Sequence, residues 1–126
     1  MIRERVDAND AAAMHILGFH YYLGVYGLVQ NYKKAVELWL RAGEVGYRDA
    51  YHNVATAYYK GEGVERDMDK AKHYYKLAAE GGNIDARYKL GVLEGNAGNV
   101  STAMKHLMIA AGEGNDTSLE TIRAYF

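Results

Sequence analysis

The chain has 126 residues, enough for one domain with a real core, and its 49% hydrophobic and 25% charged side chains are ordinary globular values that exclude intrinsic disorder. Fifteen Lys+Arg against sixteen Asp+Glu give a net charge of −1 with no run of five like charges, so no nucleic-acid partner is expected from phosphate neutralisation. Zero cysteines exclude disulfides, thiol catalysis and cysteine-rich zinc sites, and zero prolines leave long helices uninterrupted.

The opening MIRERVDAND runs directly into a folded pattern and does not read as a basic segment leading to an export cleavage site, so a cytoplasmic protein is expected. Residues 1–9 are too few for a preceding helical pair. From Ala11 to Tyr32 there are 22 residues without a charged side chain, a length that can span a bilayer. His15, His20, Gln30, Asn31 and four tyrosines interrupt it, and the equivalent stretch further along carries Lys60, Glu62, Glu65, Arg66 and Asp67. No membrane span is expected, because hydropathy scales penalise such polar content.

Within this stretch Ala13, Leu17, Gly18 and Tyr21 fall at i, i+4, i+5 and i+8, one face of a helix. A glycine-containing turn, GVYGLVQN at 24–31, follows, and Ala35, Trp39 and Ala42 mark a second helix with Asn31 at its N-cap. The pair then repeats. Ala50, Val54, Ala55 and Tyr58 form the next first helix, GEGVERD at 61–67 the turn, and Asp67 caps a helix carrying Ala71, Tyr75 and Ala78. Ala71, Tyr75, Ala78, Glu80 and Gly82 each stand 36 residues after Ala35, Trp39, Ala42, Glu44 and Gly46. In the third copy Ala86, Leu90 and Gly91 precede a turn shortened to NAGN at 96–99, so that Ala103, Leu107, Ala110 and Gly114 come only 32 residues after their counterparts. Gly46, Gly81, Gly82 and Gly114 follow the second helices, where a left-handed residue ends a helix. A final helix starts at Asp116, with Thr117 and Glu120 spaced as a capping box. Each unit is thus helix A, glycine turn, helix B, with Ala or Gly where backbones approach and one large side chain filling the gap. The expectation is a single all-α domain over 1–126: about three and a half units at 10–46, 47–82, 83–114 and 115–126, with seven main helices.

Ala50, Tyr58, Gly61, Gly63, Val64, Asp67, Lys70, Ala71, Tyr74, Tyr75, Ala78, Ala79, Glu80 and Gly82 together resemble the Sel1-like repeat, a relative of the tetratricopeptide repeat. The resemblance implies a right-handed α/α superhelix, a solenoid whose A helices line a concave groove, and an adaptor role in which another protein is bound.

Residues opposite the core face of each helix A lie at about 180–240° from Ala13, at roughly 100° per residue. They are His15, Phe19 and Tyr22 in the first repeat, His52, Thr56 and Tyr59 in the second, and Tyr88, Val92 and Gly95 with neighbouring Asn96 in the third. An aromatic and imidazole strip of this kind suits a peptide or helix of a partner protein. The same side chains also suit packing between neighbouring A helices. The lysines with which tetratricopeptide grooves clamp a terminal carboxylate are absent from these positions.

Other motifs have simpler explanations. His15 and His52 are equivalent but lack a third ligand, so no metal is expected; His73 and His106 read as surface residues. GEGV lacks the G-K-S/T of a phosphate loop. Asn99-Val-Ser101 and Asn115-Asp-Thr117 match the glycosylation pattern but stand at helix starts, where they serve as caps, and Ser101 and Ser118 are likewise helix-start residues. No catalytic residues and no cofactor are assigned. The alternatives to a non-catalytic scaffold are a hydrolase related to the cysteine-rich β-lactam-handling members of the resembled family, whose disulfides are absent here, and a structural spacer that associates through its ends. The first repeat carries Met14, Ile16, Leu17, Phe19, Leu23, Val25, Leu28 and Val29, more apolar surface than one helix face hides, so this end is expected to pack against another copy of the chain, a partner or a further segment.

Overall fold

The computed structural model describes residues 2–125, and all regular structure among them is helical: α1 (Ile2–Asp7), α2 (Ala11–Leu23), α3 (Tyr32–Glu44), α4 (Ala50–Lys60), α5 (Met68–Glu80), α6 (Ile84–Asn96), α7 (Val100–Gly112) and α8 (Asp116–Tyr125). The seven expected helices are α2 to α8. The expected final half-repeat ends at residue 126, which lies outside the described residues. None of the described helices is long and apolar enough to cross a membrane.

The eighth helix, α1, is a correction to the sequence expectation. Its six residues carry only Ile2 and Val6 at an i, i+4 spacing, too little for a period to show. Val6 is nevertheless buried, and Ile2 packs on the same core. The chain turns into α2 through Asp10, whose carboxylate accepts the Ala13 amide at 3.0 Å and the Arg5 guanidinium at 2.9 Å. These two bonds, the backbone one first, hold the Asp10 carboxyl below its ordinary value of 3.8. A depressed folded-state pKa stabilises above the unfolded value and ceases to as pH falls through the folded one. The stability lost in Asp10→Ala is therefore expected to be present at neutral pH and to shrink below pH 3.8; thermal melts of both proteins across that range check it, and a difference that persists undiminished in acid contradicts it.

The other caps follow the same chemistry. Asn31, Asp67 and Asn83 accept the amides of Lys34, Lys70 and Ala86 at 3.0, 3.1 and 2.8 Å. Two expectations are corrected. Asn99 stands at the start of α7 without a side-chain cap bond, its Nδ2 instead donating to Glu94 Oε2 at 2.7 Å. The last helix is capped by Asn115, which accepts the Ser118 amide at 2.7 Å, and not by Thr117, which lies inside the first turn and whose carbonyl accepts the Thr121 hydroxyl at 2.8 Å. Asn is at least as good a cap as Thr and comes first.

The chain divides into two compact units, Met1–Tyr74 and Tyr75–Phe126, with the boundary inside α5. In the first unit α2 packs on α1 and α3, and α3 on α4. Trp39 of α3 is 3% exposed and lies against Gly18 of α2, where an added Cβ would meet its Nε1 and come within 2.7 Å of its Cδ1. Gly43 of α3 makes the same allowance for the Tyr51 ring of α4, and Tyr74 stacks on both Tyr51 and Tyr58 at 5.7 Å. In the second unit α7 packs on α6 and α8. There Gly91 of α6 takes Leu107 of α7, whose Cγ would be 2.9 Å from an added Cβ. Gly18 with Trp39 and Gly91 with Leu107 are the small-against-large pairing anticipated from the repeat, so the same packing rule builds both units. Ser118 of α8 is fully buried.

The first repeat's apolar excess is partly absorbed. Met14 and Leu17 are buried, whereas Ile16, Leu23, Tyr26 and Val29 remain exposed, the last two at 84% and 86%.

Candidate functional site

In the first unit, α2, α3 and α4 leave a cavity of about 120 Å³ lined by Phe19, Tyr22, Tyr32, Val36, Trp39, Asn53, Thr56, Ala57 and Glu62. Four aromatic rings form much of its wall. Phe19 lies edge-on to Trp39 with centroids 5.1 Å apart, and Tyr22 is tilted against Trp39 at 5.7 Å and against Tyr32 at 5.0 Å. Trp39 is fixed in this wall by its indole N–H, which donates to the His15 carbonyl at 3.2 Å. Glu62 arrives from the turn after α4, and the Tyr22 hydroxyl donates to its carboxylate, 3.3 Å from each oxygen. Burial first, and the Glu62 charge second, push the Tyr22 phenol above its ordinary value.

The second unit holds a cavity of about 340 Å³ between its helices, lined by Tyr88, Gly91, Val92, Gly95, Asn96, Val100, Leu107 and Thr121. No acidic or basic side chain contributes to this lining.

The sequence-derived strip therefore falls into parts. Phe19, Tyr22 and Thr56 line the first cavity, and Tyr88, Val92 and Asn96 the second. His15, His52 and Tyr59 line neither. His15 is half-buried: its ring stacks on Tyr47 at 4.8 Å, meets Phe19 edge-on at 5.0 Å, and lies 2.9 Å from the side-chain amide of Asn53 through Nε2. Burial lowers its pKa, opposed by the charge of Asp49. The His52 carbonyl accepts the Thr56 hydroxyl at 3.0 Å, and Tyr59 is exposed, with its carbonyl accepting Arg66 Nε at 3.2 Å. Among the described residues no three histidine, cysteine or acidic side chains are grouped as a metal would require.

The first cavity also draws on Tyr32, Val36, Trp39, Asn53, Ala57 and Glu62, none of them in the sequence-derived strip, and two of these, Glu62 and Asn53, are held by hydrogen bonds across the repeats. Glu62 reads as a solvated turn charge, and Asn53 as an unremarked position on helix A of the second repeat. Each is placed by a partner about forty residues away, 40 for Glu62 with Tyr22 and 38 for Asn53 with His15. Alignment of the repeats to one another finds equivalences and not contacts between them. His106 is a correction: it is half-buried with Nδ1 3.3 Å from Arg87 Nη1, and burial followed by the Arg87 charge lowers its pKa. His73 is exposed, edge-on to Tyr74 at 5.0 Å.

A family model described as the Sel1 repeat matches residues 11–47, 48–83 and 84–115. The chain belongs to the Sel1 repeat family. Each Sel1 repeat so delimited holds one A–B pair, α2 with α3, α4 with α5 and α6 with α7, and leaves α1 and α8 outside. Two solved structures share the fold. One is a protective antigen of uropathogenic Escherichia coli strains with an SLR fold, at a TM-score of 0.91 and 26% identity over 96% of this chain and 27% of that one. The other is a Sel1 repeat protein from Oxalobacter formigenes, at 0.86 and 27% identity over 95% of this chain and 50% of that one. Among curated proteins, this chain is 29% identical to the ERAD-associated E3 ubiquitin-protein ligase component HRD3B of Arabidopsis thaliana over 107 residues, 84% of this chain. It is 28% identical to chitin synthase regulatory factor 3 of Schizosaccharomyces pombe over 119 residues, 90% of this chain. It spans 17% of the first of these and 12% of the second.

Proposed function

We propose that this Sel1 repeat chain is a non-catalytic interaction module that binds a peptide or helix of a partner protein through residues of its A helices, at the cavity of each unit. The observation that carries this reading is the pair of open cavities. Equivalent helix-A positions line both, Phe19 and Tyr22 in one and Val92 and Gly95 in the other, each with polar groups among the apolar ones. Aromatic rings lose little conformational entropy on binding and dominate interface hot spots, while a few polar groups set orientation. The names of two relatives, a ligase component and a regulatory factor, support a role exercised through other proteins.

The test compares wild type with the triple variant Tyr22→Ala, Tyr59→Ala and Tyr88→Ala, in affinity capture followed by mass spectrometry. Phe19 is left intact because its ring supports Trp39. Loss of several hot-spot rings, each costing more than about 1 kcal/mol, should reduce capture of a specific partner at least tenfold with the helical spectrum unchanged. Undiminished capture by the folded variant refutes binding through these A-helix residues and leaves the spacer that associates through its ends.

A further inference from the structure

The first cavity has a chemistry that the second lacks. We infer that it is a receptor for one cationic side chain, the guanidinium of an arginine or the ammonium of a lysine, presented by the bound partner; this deepens the interaction-module reading and rests on it. At about 120 Å³ it cannot take a helix or a run of residues. It is close to a cavity of roughly 150 Å³ that accommodates a single benzene-sized group, so one side chain fills it.

The walls favour positive charge. Phe19, Tyr22, Tyr32 and Trp39 are tilted to one another at 42–64° in the neighbouring pairs, the arrangement of an enclosure and not of a stack. Aromatic rings attract a cation through their quadrupoles, by roughly 0.5–1 kcal/mol when exposed and more when desolvated. Glu62 adds a full negative charge, and no lysine, arginine or histidine shares the lining. Its bond to Tyr22 is long: 3.3 Å to each oxygen, against about 2.5–2.7 Å for a strong hydroxyl–carboxylate bond. The carboxylate thus keeps acceptor capacity for a further donor, which an ammonium or guanidinium supplies.

Other occupants fit less well. A carboxylate or phosphate would face Glu62 across a small apolar space. An aliphatic side chain would strip water from the Glu62 carboxylate and return no hydrogen bond. A cation with an apolar stem satisfies both the rings and the charge. The lining of the second cavity, without a charged group, has no such preference.

Short acetylated, amidated alanine peptides with a central arginine, lysine, citrulline or norleucine test the assignment directly. Trp39 is the single tryptophan of the chain and part of the wall, so its fluorescence reports occupancy. Arginine and lysine peptides should give a saturable change in the millimolar range, about tenfold tighter than the citrulline and norleucine peptides, and Glu62→Gln should weaken them by about the same factor while retaining the helical spectrum. Equal affinity for norleucine, an undiminished response in Glu62→Gln, or no saturable response to either cationic peptide overturns the proposal. Should Glu62→Gln fail to fold, the arginine and citrulline comparison on wild type decides alone. Failure of the peptides leaves partner capture by the intact module to its own test, so the two readings fall separately.

Discussion

Trp39→Ala should lower the unfolding free energy of the first unit by about 3–5 kcal/mol, as expected for removing a buried tryptophan. Against a typical total of about 5–15 kcal/mol, that brings the unit near to unfolding. The size of the effect follows from what the ring touches. It is 3% exposed, fills the space kept open by Gly18, meets Phe19 and Tyr22 at 5.1 and 5.7 Å, and donates to the His15 carbonyl. Collapse cannot refill this volume, because the facing residue is a glycine with no side chain to move in. Trp39→Phe keeps most of the packing and loses the indole hydrogen bond, so its cost should be distinctly smaller, nearer the roughly 1 kcal/mol of a hydrogen bond together with some unfilled volume. Denaturant unfolding followed by circular dichroism measures both, since the alanine variant has no tryptophan to report. A loss under about 1 kcal/mol in Trp39→Ala would mean that Trp39 does not hold α2 to α3.

That pairing was legible in the sequence because it is periodic. Gly18 and Trp39 recur as Gly91 and Leu107, and the apolar positions of the helices repeat at 37, 36 or 32 residues, so one rule read once serves several helices. The caps at Asn31 and Asp67 were legible because capping is local chemistry over three residues. What escaped was either too short or too distant. Helix α1 shows two apolar residues, fewer than a period needs. His15 shares a helix face with Phe19 and Tyr22, yet Tyr47 from beyond α3 and Asn53 of α4 enclose its ring. Glu62 is the clearest case: its counterparts in the other turns are Val25 and Gly98, so the periodicity that exposed the scaffold averaged away the one charge that sets the first cavity apart.

The position of Glu62 depends on the residue that follows it, and Gly63→Ala should be the most damaging of the turn substitutions. Gly63 has φ +77, a left-handed conformation that costs an L-residue roughly 1–2 kcal/mol. That alone would make it ordinary, since Gly46 has φ +108. The difference is space. A Cβ at Gly46 meets nothing within 4 Å, whereas one at Gly63 would stand 2.6 Å from the carbonyl carbon of Tyr32, 2.7 Å from its oxygen and 2.8 Å from the Lys33 nitrogen. Those are backbone atoms at the start of α3 and cannot swing aside as a side chain can. Gly46→Ala should therefore cost about the conformational 1–2 kcal/mol, and Gly63→Ala that amount plus the energy of separating the turn from α3. Denaturation midpoints of the two variants read the difference, and equal costs would refute the close approach. The same displacement draws Glu62 away from Tyr22, so the folded fraction of Gly63→Ala should also lose its preference for the arginine peptide over the citrulline one, while Gly46→Ala keeps it. A turn glycine would then be acting on recognition solely through how closely it lets its turn approach α3.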